Sequence, residues 1–120
     1  RYDVSPDPTG FRQIIAGGPR LVQNGAVAVN DEAEGFGGAF STNRHPRTAV
    51  GATRNGATVI LTVDGRQPAL SRGATLAETA ALLVKAGVVE GVNWDGGGST
   101  AIAVRGLVVN SPSDGTERPV

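Results

Sequence analysis

The chain has no cysteine and no methionine, and among its 120 residues it carries one histidine, one tryptophan, one tyrosine and three phenylalanines. Each shortage removes a class of chemistry. Without cysteine there is no disulfide framework, no thiolate metal centre and no thiol redox reaction, although secreted proteins need not carry bridges and the compartment stays open. With His45 as the sole imidazole, a metal site built on several histidines is excluded, and neither a metal nor a cofactor is expected. A Ser-His-Asp arrangement would have to recruit that same His45 with Ser99 as nucleophile, and no local nucleophile motif surrounds Ser99.

Charge of one sign is missing too. Eleven basic residues balance eleven acidic ones, so there is no general attraction to nucleic acid or to an anionic membrane, and any anion site must be local. No apolar run approaches the roughly 18 to 20 residues of a spanning helix, and no basic segment precedes an apolar one at the start. The length suits one domain. A start at Arg1 and the lack of methionine lead us to expect a processed or partial chain.

What is present is glycine, eighteen residues of it, set among Val, Ala, Ile and Thr: short strands joined by tight turns. Residues 1–10 read as an irregular lead-in. Gln13-Ile14-Ile15-Ala16 reads as a short buried strand stopped by Gly17-Gly18-Pro19, and Leu21-Val22 as half of a hairpin that turns at Asn24-Gly25 into 26–29. Residues 30–46 form a polar loop that borders the site, with Phe36 and Phe40 as its only bulky anchors. Residues 47–54 and 58–64 are β-branched runs around Asn55-Gly56, a strong hairpin signal. Thr75 and Glu78 make a capping box, Leu76, Ala80, Leu83 and Val84 form one apolar helical face, and Gly87 stops the helix. Strands over 88–95, 100–104 and 107–110 follow. The expected fold is α+β, a mixed, largely antiparallel β-sheet with one main helix packed on it.

The most informative run is Asn93-Trp94-Asp95-Gly96-Gly97-Gly98-Ser99-Thr100. A carboxylate at a strand end followed by three glycines suits a ligand loop, because glycine lets a sugar or phosphate oxygen approach backbone N–H groups. Asp-Gly is also a plain turn signal, and the spacing allows both readings. There is no lysine for a P-loop. Arg44-His45-Pro46-Arg47 offers forked donors suited to a phosphodiester or carboxylate, though surface arginine pairs are common. Other polar groups gather at Asp64 with Arg66, and at Ser113, Asp114, Glu117 and Arg118.

In chain order, the segments Ala16-Gly17-Gly18-Pro19-Arg20-Leu21-Val22, Arg44-His45-Pro46-Arg47-Thr48-Ala49-Val50-Gly51, Val63-Asp64-Gly65-Arg66-Gln67, Thr75-Leu76-Ala77-Glu78, the run from Asn93 to Thr100, and Ser111-Pro112-Ser113-Asp114-Gly115 resemble the phosphodiester glycosidase family. The resemblance runs from about Phe11 to Val120. Family members usually carry an earlier strand-rich portion with an Asn-Gly-Gly-Phe-Phe motif and a longer last strand. The chain therefore resembles the C-terminal two-thirds of the domain, slightly clipped at its end, and Trp94 stands where leucine is usual.

The resemblance implies hydrolysis of the bond between a sugar anomeric carbon and a phosphodiester phosphate, releasing free sugar and a phosphomonoester. It implies Asp95 as the carboxylate that stabilises an oxocarbenium-like transition state, with Asp64 or Glu78 as a second one, and Arg47 as the first phosphate ligand. Asp64-Gly65 also fits a turn, and Glu78 a capping box. Substrate contacts would come from Arg44, His45, Arg47, Thr48, Gly96, Gly97, Gly98, Ser99, Thr100 and Asp114. A secreted or cell-surface location is implied, with a glycosyl phosphodiester or envelope polysaccharide as substrate. An N-terminal chain from the same precursor is the expected partner. The competing readings are a non-catalytic carbohydrate- or phosphosugar-binding module on the same scaffold, and a serine esterase.

Overall fold

The computed structural model describes residues 8–118. Most of the expected lead-in, residues 1–7, lies outside them, and the remainder is a short 3-10 turn, Pro8–Gly10. Strands β1 (Arg20–Gln23) and β2 (Ala26–Val27) form the first hairpin. Asn24 and Gly25 both take positive φ, 51° and 76°, the backbone that a two-residue turn between twisted strands requires. Strands β3 (Arg47–Thr53) and β4 (Thr58–Val63) form the second. It closes as the Thr53 N–H donates to Ala57 O at 2.9 Å while Gly56 fills the left-handed position at φ 84°.

A short helix α1 (Ala39–Thr42) interrupts the polar loop ahead of β3. Helix α2 (Leu76–Lys85) follows β4 and leads into β5 (Val88–Trp94). Its capping box is complete: the Glu78 N–H donates to Thr75 Oγ1 at 3.2 Å, and the Thr75 N–H donates to Glu78 Oε2 at 2.9 Å. Two of the donors that every helix start leaves over are thereby satisfied. Gly87, at φ 84°, ends the helix, as its N–H returns to Val84 O.

The five strands order as β2-β1-β5-β3-β4, and every pairing is antiparallel. The sheet is thus not mixed in its pairings. Because β4 and β5 both run against β3, which lies between them, they are parallel to each other, and α2 makes a split crossover over β3.

One face of the sheet is buried under α2. Leu21, Val22 and Ala49 meet Leu76, Ala80, Leu83 and Val88 in a single apolar cluster, each large side chain contributing about 1.5–3 kcal/mol by leaving water. The close seat depends on Gly51 opposite Gly91. A Cβ on Gly91 would lie 3.1 Å from Leu83 Cδ1, and one on Gly51 would run into Val88. The opposite face, with Val50 and the exposed Ile60, has no helix over it among the described residues.

Two expectations are corrected. Gln13–Ala16 is not a strand, and Ile14 and Ile15 are 58% and 66% exposed. An apolar triplet becomes a strand only beside a free edge, and the chain joins β5 no earlier than Gly18, whose N–H donates to Asn93 O at 2.8 Å. The last two strands are shorter than expected, β6 (Ala103–Val104) and β7 (Leu107–Val108), and form a separate ribbon around Arg105-Gly106.

Candidate active site

The run after β5 is strapped down by its own backbone. Asp95 Oδ1 accepts from the Gly96 N–H at 2.9 Å, the Gly97 N–H donates to Pro46 O at 2.9 Å, and the Ser99 N–H to Gly96 O at 3.1 Å. These N–H groups, which the sequence suggested were open to a ligand, serve the loop itself. The glycines matter for what packs on them. A Cβ on Gly96 would lie 2.8 Å from Pro46 O, one on Gly97 3.1 Å from Arg66 Nη2, and one on Gly98 would overlap the Asp114 carboxylate. Asp95 itself is exposed at the end of β5.

Arg66 has left-handed backbone, φ 58°, an uncommon state for a residue with a side chain. Its guanidinium lies over Gly97 with no hydrogen-bond or ion-pair partner among the described residues. It lines a cavity of about 200 Å³ together with His45, Arg47, Phe40, Asn93 and Gly97. Partial burial, and then the cations of Arg47 and Arg66, lower the His45 pKa from its ordinary value, because each disfavours a further positive charge.

Arg47 lines the same cavity in another way. It is 2% exposed, its Nε donates to Ala74 O at 3.0 Å, and its Nη2 donates to Phe40 O at 2.5 Å and Asn43 O at 3.1 Å. The guanidinium also sits 4.9 Å from the Phe40 ring centroid. Through Nε and Nη2 it fastens the α1 loop to the start of β3.

A second cavity, about 400 Å³, lies beside it, walled by Phe36, Phe40, Trp94, Gly17 and Gly18, with Asp95 among its lining. The two share Phe40, Asn93 and Gly96. Asn93 holds the partition, donating through Nδ2 to Gly18 O at 3.1 Å and Trp94 O at 2.8 Å. A larger hollow of about 530 Å³, on the open sheet face, carries none of the expected site residues.

The other expected residues are not gathered here. Asp64 accepts the Asn110 Nδ2 at 2.9 Å and the Ser111 N–H at 3.0 Å, and Gln67 and Ser111 exchange two further hydrogen bonds, so this carboxylate ties the end of β4 to the C-terminal segment. Glu78 completes the helix cap and pairs with Arg44, which also donates to Gly73 O at 3.0 Å. The Thr75 N–H first, and the Arg44 cation after it, hold the Glu78 carboxyl below the usual carboxylate range. Thr48 pairs within the sheet opposite Thr62 and Trp94, and Thr100 is buried. Ser99 Oγ accepts from Arg118 at 3.1 Å, Arg118 pairs with Asp114 at 3.6 Å, and no hydrogen bond joins Ser99 to His45 among the described residues. Arg66, Phe36, Phe40 and Trp94 were not assigned to the site from the sequence. Arg66 lies inside the Asp64-Gly65-Arg66 segment, and the phenylalanines are the only bulky side chains of the polar loop.

The exposed Asp95 lines the aromatic cavity, and the basic cavity adjoins it, an arrangement that has room for a ligand with an anionic part and an apolar face. The model of the phosphodiester glycosidase family matches residues 2–120, and the chain belongs to that family. The N-acetylglucosamine-1-phosphodiester alpha-N-acetylglucosaminidase of Bos taurus is 38% identical over 113 residues, covering 87% of this chain and 21% of the bovine protein. The chain therefore spans about a fifth of that relative's length. Among solved structures, the catalytic domain of the zebrafish enzyme of the same name, auto-inhibited by its pro-peptide, superposes with a TM-score of 0.72 at 28% identity, covering 82% of this chain and 34% of that one. A hypothetical protein from Synechocystis gives a TM-score of 0.71 at 34% identity, covering 81% and 18%.

Proposed function

We propose that this chain carries part of a site that hydrolyses the bond between a sugar anomeric carbon and the phosphate of a phosphodiester. The observation that supports it is Asp95 standing beside the basic cavity of His45 and Arg66. As the bond from the anomeric carbon to the phosphate oxygen breaks, its electron pair leaves with the phosphate and positive charge builds on the sugar. Asp95 stabilises that charge, and the departing phosphomonoester is met by Arg66 and by the edge of His45. Water supplies the new oxygen on the anomeric carbon, and its proton leaves to solvent. In this reading Asp64, Glu78 and Arg47 hold elements in place and do not touch the substrate.

The test is hydrolysis of a glycosyl phosphodiester by the full-length protein in water enriched in heavy oxygen. The phosphomonoester is expected to carry no label, and label in the phosphate would replace a glycosidase with a phosphodiesterase. We further propose a secreted or cell-surface location and a site completed by a preceding segment of the same precursor. The chain's coverage of about a third of the zebrafish catalytic domain supports the second point. Native mass spectrometry checks it: an active monomer of this chain alone would overturn it.

A further inference from the structure

The aromatic cavity has a shape and a position that the reading above does not use. Phe36 and Phe40 remain 37% and 39% exposed, their ring centroids 5.6 Å apart at an angle of 32°. Aromatic rings left open in a hollow beside a carboxylate mark a ligand surface rather than a core. The backbone opposite is cut back to suit them. A Cβ on Gly17 would lie 2.6 Å from Trp94 Cδ1, and one on Gly18 2.8 Å from Phe36 Cε2, so Gly17-Gly18 is the strip on which the Trp94 and Phe36 rings rest. Phe40 is held from behind, its carbonyl and its ring both engaged by Arg47.

Position decides the occupant. Asp95 lines the aromatic cavity and not the basic one. A phosphate would be repelled by that carboxylate and drawn to the side of Arg66 and His45, while the carbon that develops positive charge belongs next to Asp95. The ring carrying that carbon then extends into the aromatic cavity. A hexopyranose suits it, with an apolar C–H face for Phe36 and Phe40 and a hydroxyl edge toward the rim.

We propose that this cavity is the subsite for the sugar ring, and that Phe36, Phe40 and Trp94 are the residues that select the sugar; the proposal rests on the glycosidase reading. The experiment is fluorine NMR of the full-length protein labelled with fluorotryptophan, the Trp94 line being assigned by its loss in Trp94→Phe. A panel of free hexoses that includes N-acetylglucosamine is titrated in, and inorganic phosphate separately. At least one hexose is expected to shift the Trp94 line saturably and to remain bound when phosphate is added. Phe36→Ala and Phe36→Leu, the second keeping apolar bulk without the ring, are each expected to weaken that hexose by about three- to tenfold, the scale of one aromatic contact. Arg66→Ala is expected to leave it unchanged. No shift with any hexose, or full affinity in Phe36→Leu, overturns the proposal. Sugar binding of this kind in a protein that cleaves no glycosyl phosphodiester would remove the glycosidase reading and leave the subsite. Cleavage with an unaltered KM in Phe36→Leu and a silent Trp94 would do the reverse.

Discussion

The sheet-and-helix body and the loop end of β5 follow opposite rules. In the body, Leu21, Leu76, Leu83 and Val88 are buried and the start of α2 has its donors matched by a capping box. At the loop end, Asp95 is exposed, two phenylalanines lie open, Arg66 is held in left-handed backbone without a hydrogen-bond partner among the described residues, and His45 faces two cations. Natural sequences break local consistency at few places, and those places tend to be functional. The contrast is sharpest between two arginines on one cavity. Arg47 is buried and gives its bonds to three carbonyls of the body, whereas Arg66 is exposed at the candidate site.

Asp95→Asn should break the contrast most severely. It removes charge but little volume at an exposed position, so hydrolysis is expected to fall by more than about a hundredfold. The Tm should stay unchanged. Turnover within a few-fold of the parent protein in a steady-state assay would take Asp95 out of the reaction.

Arg47→Ala tests the body. It removes the guanidinium donors from three backbone carbonyls, of which Ala74 O keeps the His45 N–H, and should cost about 2–4 kcal/mol of stability in denaturant titration. Activity on phosphodiester and on simple aryl glycoside substrates should fall together. A loss confined to phosphodiesters would return Arg47 to the role of phosphate ligand that the sequence suggested.

Arg66→Ala tests the site. Binding of inorganic phosphate, measured by calorimetry, is expected to weaken by at least about tenfold, the scale of one hydrogen bond to a charged group. Because the guanidinium has no hydrogen-bond or ion-pair partner among the described residues, the Tm should not move. A matching fall in stability would make Arg66 a second Arg47.

The smallest effect concerns acid. The Glu78 carboxyl is held below its ordinary range in the folded chain, so on acidification the unfolded state takes up the proton first. The stabilisation is complete above the ordinary carboxylate range and is lost as the pH falls through the lowered folded value. Glu78→Gln, which keeps a side chain able to reach the cap, should flatten that acid limb in a series of Tm measurements while leaving phosphate binding intact.

The body was legible in the sequence because its signals are local. Asn24-Gly25, Asn55-Gly56 and Arg105-Gly106 each mark a turn that formed, and Thr75 with Glu78 marks the helix start to the residue. Asp95 with its glycines stood out as a candidate site for the same reason, a carboxylate and three flexible residues in one run. Gln13–Ala16 was not, because a strand needs a neighbour and periodicity cannot say whether one is present.

By itself, then, the sequence determined the α+β class, the two long hairpin strands and the limits of the main helix, and it singled out the run around Asp95 as a candidate, all from residues within a few positions of one another. Only the tertiary structure decided what each polar group does. Arg47 and Arg66 are alike as side chains, and their roles part because one meets the Phe40 and Asn43 carbonyls and, from a distant segment, that of Ala74, while the other has no hydrogen-bond or ion-pair partner among the described residues. Asp64 reads as a candidate catalytic carboxylate until Asn110 and Ser111, more than forty positions away, occupy both of its oxygens. Hydrogen bonding and burial depend on distance in space, and that distance is set by how β4, α2 and β5 pack, which no local pattern encodes.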